Sequence, residues 1–366
     1  MKKASFKIIS IIFRLICLFF AIFLLVYIPT INIGVNDNLN RIYGSFVGEK
    51  SSFNGIIEVW NIDSFESGSQ SKTNLLNIAA AEYQKKYKGV YVLVRNISEQ
   101  ECVNMLLQGQ TPDLFSCSYG VSLKIKSYIE SFRETDFNLK DNFFNAGKDE
   151  NGELGAVAWC SGLYFLITTK NMLEKAGVSV DNFNIFENVY SLGFKTQGKT
   201  LKNIYSITFA NKGYLMPQQA LNSYDINGAE KFSELAYNKG NNLSQYEAYV
   251  DFLLGNSVML LGSQRDVVRL VNRETAGKIS EVVYKPLLSS TDLVQFLFLA
   301  KNENEEEKVY CEKFAKFILS ETIQSKIAGS NMFSVIDNFS YDYKIDVFNE
   351  AANEDLKNLK VKNIFS

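Results

Sequence analysis

Histidine is absent from all 366 residues. That removes the commonest general base, the Ser-His and Cys-His nucleophile systems, and every histidine-based metal site. Chemistry here must rest on carboxylates, on lysines, or on recognition without bond making. The most suggestive cluster is Trp60, Asp63 and Glu66, at and just after the end of a predicted strand. An indole gives a sugar ring an apolar face to stack on, and carboxylates accept hydrogen bonds from hydroxyls. The competing reading packs Trp60 in the core and leaves Asp63 and Glu66 as turn and helix-start residues. As the acid/base pair of a glycosidase, the two carboxylates lack a second carboxylate motif on a facing segment. Tyr119 follows a third predicted strand, where a loop should open on a cleft; an ordinary half-exposed tyrosine is its plain alternative. Gln264 and Arg265 leave a Gly262-Ser263 loop at a helix start, a place rich in unpaired backbone donors. Gln264 can donate and accept, which suits a polyol, and Arg265 adds a fork able to grip a carboxylate or phosphate. A solvated helix start is the plain alternative for Arg265, and the loop lacks the Gly-x-x-x-x-Gly-Lys phosphate motif. No cofactor and no metal is implied.

The elements that must position these residues alternate. Ile56 to Ile62 reads as a buried strand, and Ser71 to Tyr87 sets Leu75, Ala79, Tyr83 and Tyr87 on one helix face before Gly89 stops it. Val90 to Val94 is a second strand. Ser98 with Glu101 is a capping box opening a short helix, and Leu114 to Cys117 is a third strand. Strand, helix, strand, helix, strand with short links predicts a parallel α/β sheet. Farther on, Leu163 to Thr168 is a strand candidate, and Asn171 to Ala176 a helix closed by Gly177. Between Val178 and Gln197 the pattern weakens. Tyr246 to Leu254 reads as a helix, Val258 to Leu261 as a strand, and a further helix begins near Arg265. Phe296 to Ala300 is a strand, Glu305 to Leu319 a helix, and Ser320 caps another.

Residues 8–33 form an almost wholly apolar run behind Lys2, Lys3 and Lys7, interrupted by Arg14 and Pro29. Its length suffices to cross a bilayer, which takes roughly 20 residues, and the basic flank keeps the N-terminus in the cytosol. We read 8–33 as a single transmembrane anchor and 34–53, rich in Gly, Ser and Asn, as a tether. The rest then faces outward at the cell membrane. A cleaved signal peptide is the main competitor, and its small-x-small site is missing. Lipidation at Cys17 fits poorly with the preceding Arg14, Leu15 and Ile16.

About 330 residues remain, enough for two lobes. A net charge of −2 gives no electrostatic reason to expect nucleic acid as a partner. Cys102, Cys117, Cys160 and Cys311 show no short-spaced pair, so free buried thiols are expected.

Four stretches in order resemble the family 1 extracellular solute-binding proteins of ABC transporters, the group that includes maltose-binding protein. They are Val59-Trp60-Asn61-Ile62-Asp63-Ser64-Phe65-Glu66-Ser67-Gly68-Ser69; Gln108-Gly109-Gln110-Thr111-Pro112-Asp113-Leu114; Trp159-Cys160-Ser161-Gly162-Leu163-Tyr164 through Asn171 to Val178; and Phe252 to Leu260 continuing through Gly262-Ser263-Gln264-Arg265-Asp266-Val267. Ala315 to Glu321 with Gln324 is a weaker fifth. The chain departs from the family at Ser67, Ala158 and Thr168-Thr169, where Gly, Pro and Tyr-Asn are usual.

The resemblance implies an α/β, two-lobed periplasmic-binding-protein type II fold with an inter-lobe cleft. On that pattern lobe one is 54–155 plus 294–330, and lobe two is 156–293 plus 331–366. Trp159 then lies at the first crossover, where it forms the cleft floor or packs the hinge. The resemblance implies a non-enzyme: a substrate-capture protein of an ABC importer that closes on a sugar or oligosaccharide and docks on permease subunits in the membrane. A membrane-tethered sensor or regulator with the same fold is the alternative, and a carbohydrate-active enzyme is third.

Overall fold

Strand β1 (Glu49–Asn61) buries Ile57, Val59 and Trp60, and a thirteen-residue strand of this apolarity needs cover on both faces. The computed structural model describes residues 49–175, 205–224, 242–353, 356 and 358–366. The predicted anchor therefore lies outside the described residues. Among the described residues no helix is long and apolar enough to cross a membrane. The last five positions of the expected tether belong to β1 instead. Glu49 and Lys50 pair with Tyr87 and Lys88, and the register then shifts before Gly55. Ser51 sits at that irregularity, its hydroxyl within 2.5 and 2.7 Å of the Phe53 and Lys88 carbonyl oxygens, with one proton shared between them. Polar residues that look like linker are stitched into the sheet by their own side chains.

Helix α1 (Lys72–Lys86) opens at Ser71, whose hydroxyl accepts from the Asn74 N–H at 3.2 Å. Its buried stripe includes Leu75, Leu76, Ala79, Ala80 and Tyr83. Tyr83 is fully buried yet satisfied, donating to the Tyr310 carbonyl at 2.8 Å. The chain then passes straight into β2 (Tyr87–Asn96), so Gly89, expected to stop the helix, sits inside a strand with φ +91°. Helix α2 (Glu99–Leu107) starts at Ser98, which accepts from the Glu101 N–H at 3.2 Å. Strand β3 (Leu114–Cys117), helix α3 (Val121–Ile125), the short β4 (Ile129–Glu130), helix α4 (Asp141–Ala146) and β5 (Val157–Ser161) follow.

A second sheet then begins. It contains β6 (Tyr164–Thr169), β7 (Tyr205–Phe209), β8 (Ser257–Ser263) and β9 (Val282–Leu287), in the order β7-β8-β6-β9. Helix α5 (Lys170–Lys175) follows β6, α6 (Pro217–Tyr224) and α7 (Gln245–Leu253) precede β8, and α8 (Gln264–Thr275) follows it. The proposed stop at Gly177 and the weak stretch to Gln197 lie outside the described residues. After β10 (Ser290–Thr291), strand β11 (Val294–Ala300) rejoins the first sheet, whose order is β2-β1-β3-β11-β4 with β5 also on β11. The β1, β2 and β3 ladders are parallel, while β11 runs antiparallel to β3. Helices α9 (Glu305–Ile318), α10 (Glu321–Gly329) and α11 (Asp346–Asn353) and strand β12 (Lys360–Val361) complete the chain.

The two sheets are joined where three segments run side by side. Gly162 donates to the Leu293 carbonyl at 2.6 Å, and Ser161 and Phe333 exchange backbone bonds at 3.0 and 2.8 Å. The C-terminal segment touches both sheets. Phe348 packs on Phe165 of β6 at 5.6 Å between centroids, and Phe365 packs edge-on against Phe298 of β11 at 6.0 Å. The four cysteines named above are buried and unbonded.

Candidate ligand-binding cleft

The loop from Asp63 to Ser71 is the wall from which a site is built. It leaves β1 and is fixed from beneath by Lys72, whose residue is 1% exposed. The Lys72 ammonium donates to the Phe65 carbonyl at 2.5 Å, pairs with Asp63 at 3.1 Å, and lies 3.8 Å from the Phe65 ring centroid. A lysine buried this deeply is stable only with such partners. Gly68 has no room for a side chain: a Cβ there would meet the Ser330 carbonyl oxygen at 2.1 Å. The neighbouring Ser69 N–H donates to that same oxygen at 2.6 Å.

Opposite this loop stand residues of the second sheet's helices and connections. Together they enclose a cleft of about 560 Å³, lined on one side by the 63–71 loop and Glu99, and on the other by Lys212 to Leu215, Ser244 to Tyr246 and Arg265. That volume lies within the ordinary range of small-molecule sites. Two helix starts contribute to the second wall. Helix α7 carries a full capping box, Ser244 with Glu247, and α8 carries another, Ser263 with Asp266.

The walls are tied together across the gap by the chain itself. Both Glu66 carboxylate oxygens accept from Arg269 at 2.7 Å, a bidentate fork. The Glu66 N–H donates to the Gln245 side-chain oxygen at 2.6 Å, and the Glu66 carbonyl accepts from the Gln264 amide at 3.1 Å. Arg265 donates to the Gly68 carbonyl at 2.6 Å, and Tyr214 donates to Glu99 at 3.0 Å. Arg269 is held for this role by Asp266 at 3.2 Å and by the rings of Tyr246 and Tyr249, 5.2 and 5.1 Å away. Burial pushes the Asp266 carboxyl up to about 6, against the Ser263 N–H and Arg269, which pull it down.

Asp63, Glu66 and Arg265 line the cleft. Trp60, Tyr119, Trp159 and Gln264 do not, and each has a physical reason. Trp60 is 1% exposed, edge-on to Phe115 and donating to Glu58 at 2.9 Å, because the central strand β1 is sandwiched to its end. Trp159, also 1% exposed, lies in the fully buried β5 and donates to the Ser116 hydroxyl at 3.2 Å. Tyr119 has its ring capped by the Lys362 ammonium at 4.8 Å, in the C-terminal segment. Gln264 is wholly buried as a brace, its oxygen accepting from the Leu163 N–H at 3.1 Å while its amide reaches Glu66.

Sequence reasoning missed Lys212, Tyr214, Leu215, Gln245 and Tyr246. A usable signal existed in Ser244-x-x-Glu247, a capping box that announces a helix start of the same kind as the one carrying Arg265. Among the described residues no group of three or more Cys, Asp or Glu side chains could hold a metal ion. The arrangement offers hydroxyls, amides, two cations and tyrosine rings around an open gap, which suits non-covalent capture of a polar molecule.

No family model matches the chain, and no curated protein matches it. Solved structures do. The GacH receptor of Streptomyces glaucescens, described unliganded and with acarbose, aligns with TM-score 0.57 and 14% identity over 83% of this chain and 84% of its own. An ABC substrate-binding protein of Listeria monocytogenes in complex with cycloalternan gives 0.56 and 14%, over 84% and 88%. The sugar-binding protein MalE of Xanthomonas citri gives 0.59 and 13%, over 84% and 86%. At such identities the likeness is one of fold, and the chain has the mixed α/β fold of periplasmic binding proteins.

Proposed function

We propose that this chain is an extracellular solute-binding protein that captures a sugar or oligosaccharide between two lobes and delivers it to ABC permease subunits. The observation that carries this reading is the cleft of about 560 Å³ between walls belonging to two different sheets, lined by serines, amides and tyrosines. The fold neighbours, whose own descriptions name acarbose, cycloalternan and sugar binding, support it. Lobe one comprises 49–161 with 294–330, since β1 begins at Glu49 and β5 pairs with β11 of the first sheet, and lobe two 162–293 with 331–366, in place of the expected breaks at 54 and 155; the last residues strap back onto lobe one. Asp63, Glu66 and Arg265 remain the ligand-facing residues of the original set, now joined by Tyr246, Gln70 and Lys212. Closure is a hinge equilibrium about the three side-by-side segments at Ser161, Leu293 and Phe333. No bond is broken, and the protein is not an enzyme. Residues 8–33 anchor it to the cell membrane with the binding part outside.

The test is a panel of mono- and oligosaccharides against the purified full-length chain, reading melting temperature and small-angle scattering together. Ligand should raise the melting temperature and contract the radius of gyration. A panel-wide absence of both responses would overturn the reading.

A further inference from the structure

The cleft walls carry three carboxylates, Asp63, Glu66 and Glu99, and two cations, Lys212 and Arg265. Counted naively, such a lining would favour a neutral or cationic guest. Hydrogen bonds reverse that expectation, because every one of the carboxylates is already engaged by a cation from outside the lining. Asp63 pairs with the buried Lys72 at 3.1 Å, Glu66 is forked by Arg269 at 2.7 Å, and Glu99 pairs with Lys124 while also accepting from Tyr214.

The cations are not engaged in the same way. Among the described residues neither Lys212 nor Arg265 pairs with a carboxylate. Arg265 gives one N–H to the neutral Gly68 carbonyl at 2.6 Å, and a guanidinium has five donors. The carboxylate that acts electrostatically on Lys212 is Glu247, and it is occupied by the Ser244 N–H at 2.8 Å and the Ser244 hydroxyl at 2.7 Å. Asp266 shares Arg269 with Glu66 and does not line the cleft. Two helix starts lie on the same wall, Ser244 to Tyr246 at the head of α7 and Arg265 in the first turn of α8, each already capped by its own first-turn carboxylate, Glu247 or Asp266. Closing the lobes over a neutral guest would take from water two cations that have no carboxylate at ion-pair distance among the described residues, Glu247 acting on Lys212 only from farther off, which is costly. A guest carrying its own oxyanion removes that cost.

We propose that the cleft selects an oxyanion-bearing saccharide, with Lys212 and Arg265 gripping its carboxylate or phosphate. This rests on the reading of the cleft as a sugar site and names the class of sugar. The experiment titrates the full-length chain calorimetrically with matched probes: galacturonate and glucuronate, as monomers and short oligomers, their neutral hexose counterparts, and hexose 6-phosphates. The acidic member of a pair should bind at least about tenfold tighter than the neutral one at low salt, with the gap narrowing as sodium chloride is raised. Uronate and phosphate arms distinguish the two sources of the anion. Lys212→Gln and Arg265→Gln should each weaken the acidic probe about tenfold and the neutral one less than threefold. Lys212 is exposed, so its replacement keeps the fold, and melting temperatures of both variants are measured alongside. Tighter binding of the neutral member, or acidic binding indifferent to both substitutions, overturns the proposal and leaves the solute-binding reading in place. Failure of every probe to shift the melting temperature overturns both.

Discussion

The fork between Glu66 and Arg269 is a bidentate, charge-assisted link across the cleft, and its removal tests the architecture directly. The Arg269 side chain is 17% exposed and that of Glu66 33%, so the pair lies between the surface and buried regimes. Exposed pairs contribute about 0–1 kcal/mol, and breaking a buried pair costs about 3–5 kcal/mol. Two charge-assisted bonds at 2.7 Å argue for the middle, and Arg269 keeps Asp266 and two tyrosine rings when Glu66 is neutralised, which limits the loss. A coupling of about 2 kcal/mol is therefore expected in a double-mutant cycle of Glu66→Gln and Arg269→Met, read by chemical denaturation. If that coupling acts between lobes, it also biases closure by roughly 30-fold, since about 1.4 kcal/mol is a factor of ten. Glu66→Gln should then expand the radius of gyration in scattering. The exposed pair Lys85 with Glu82 on α1, 58% and 30% exposed, is the control and should couple by less than about 0.5 kcal/mol. Additive effects within about 0.5 kcal/mol and an unchanged radius would refute the assignment of the fork as an inter-lobe tie.

Three further outcomes are expected. Gly68→Ala should lose about 1–3 kcal/mol in chemical denaturation, because its Cβ would overlap the Ser330 carbonyl; an unchanged midpoint would show that the loop does not lie against residues 330–331. Trp60→Phe and Trp159→Phe should lower stability while leaving sugar affinity within about twofold, since both indoles are buried away from the cleft; a large affinity loss at full stability would place an indole in the site. Asp266, Asp292 and Asp113 each have a folded pKa raised by burial to about 6, above the unfolded value near 3.8. The folded state then binds more protons than the unfolded one between those values, so this contribution is fully present at low pH and is lost as pH rises through about 6. Asp266→Asn should flatten the fall in stability from about pH 3 to pH 7, by up to roughly 3 kcal/mol for a two-unit shift, and an identical slope in wild type and variant would count against it.

The first sheet was largely legible because its signals are local. Ser71 and Ser98 announce helix starts within one residue of where α1 and α2 begin, and Leu114 to Cys117 is a strand as read. Long-range pairing was not legible from pattern. Strand β5 and the return strand β11 meet across more than a hundred residues, and nothing in Val157 to Ser161 marks them as neighbours of Val294 to Leu297. The resemblance, not periodicity, supplied the two-part arrangement. The error at Trp60 has the same origin: a strand paired on both sides stays buried to its last residue, whereas a reading of one segment sees only an aromatic near a turn.

The cleft was half legible, and the division follows from what each side chain does. Asp63, Glu66 and Arg265 line the cleft, yet the two carboxylates are engaged within the protein itself, through Lys72 and Arg269. A residue type announces a capacity for hydrogen bonding; only its neighbours decide whether that capacity is still open. On the proposed reading, the same distinction governs closure. Contacts from Glu66 to Arg269, Gln245 and Gln264 already join the walls, so a guest shifts the hinge equilibrium only by what it adds beyond them. Lys212 and Arg265 are where that addition is largest, because they alone among the charged lining residues described have no ion-paired carboxylate. Affinity and closure should therefore move together when those two are changed, and separately when Glu66 is changed.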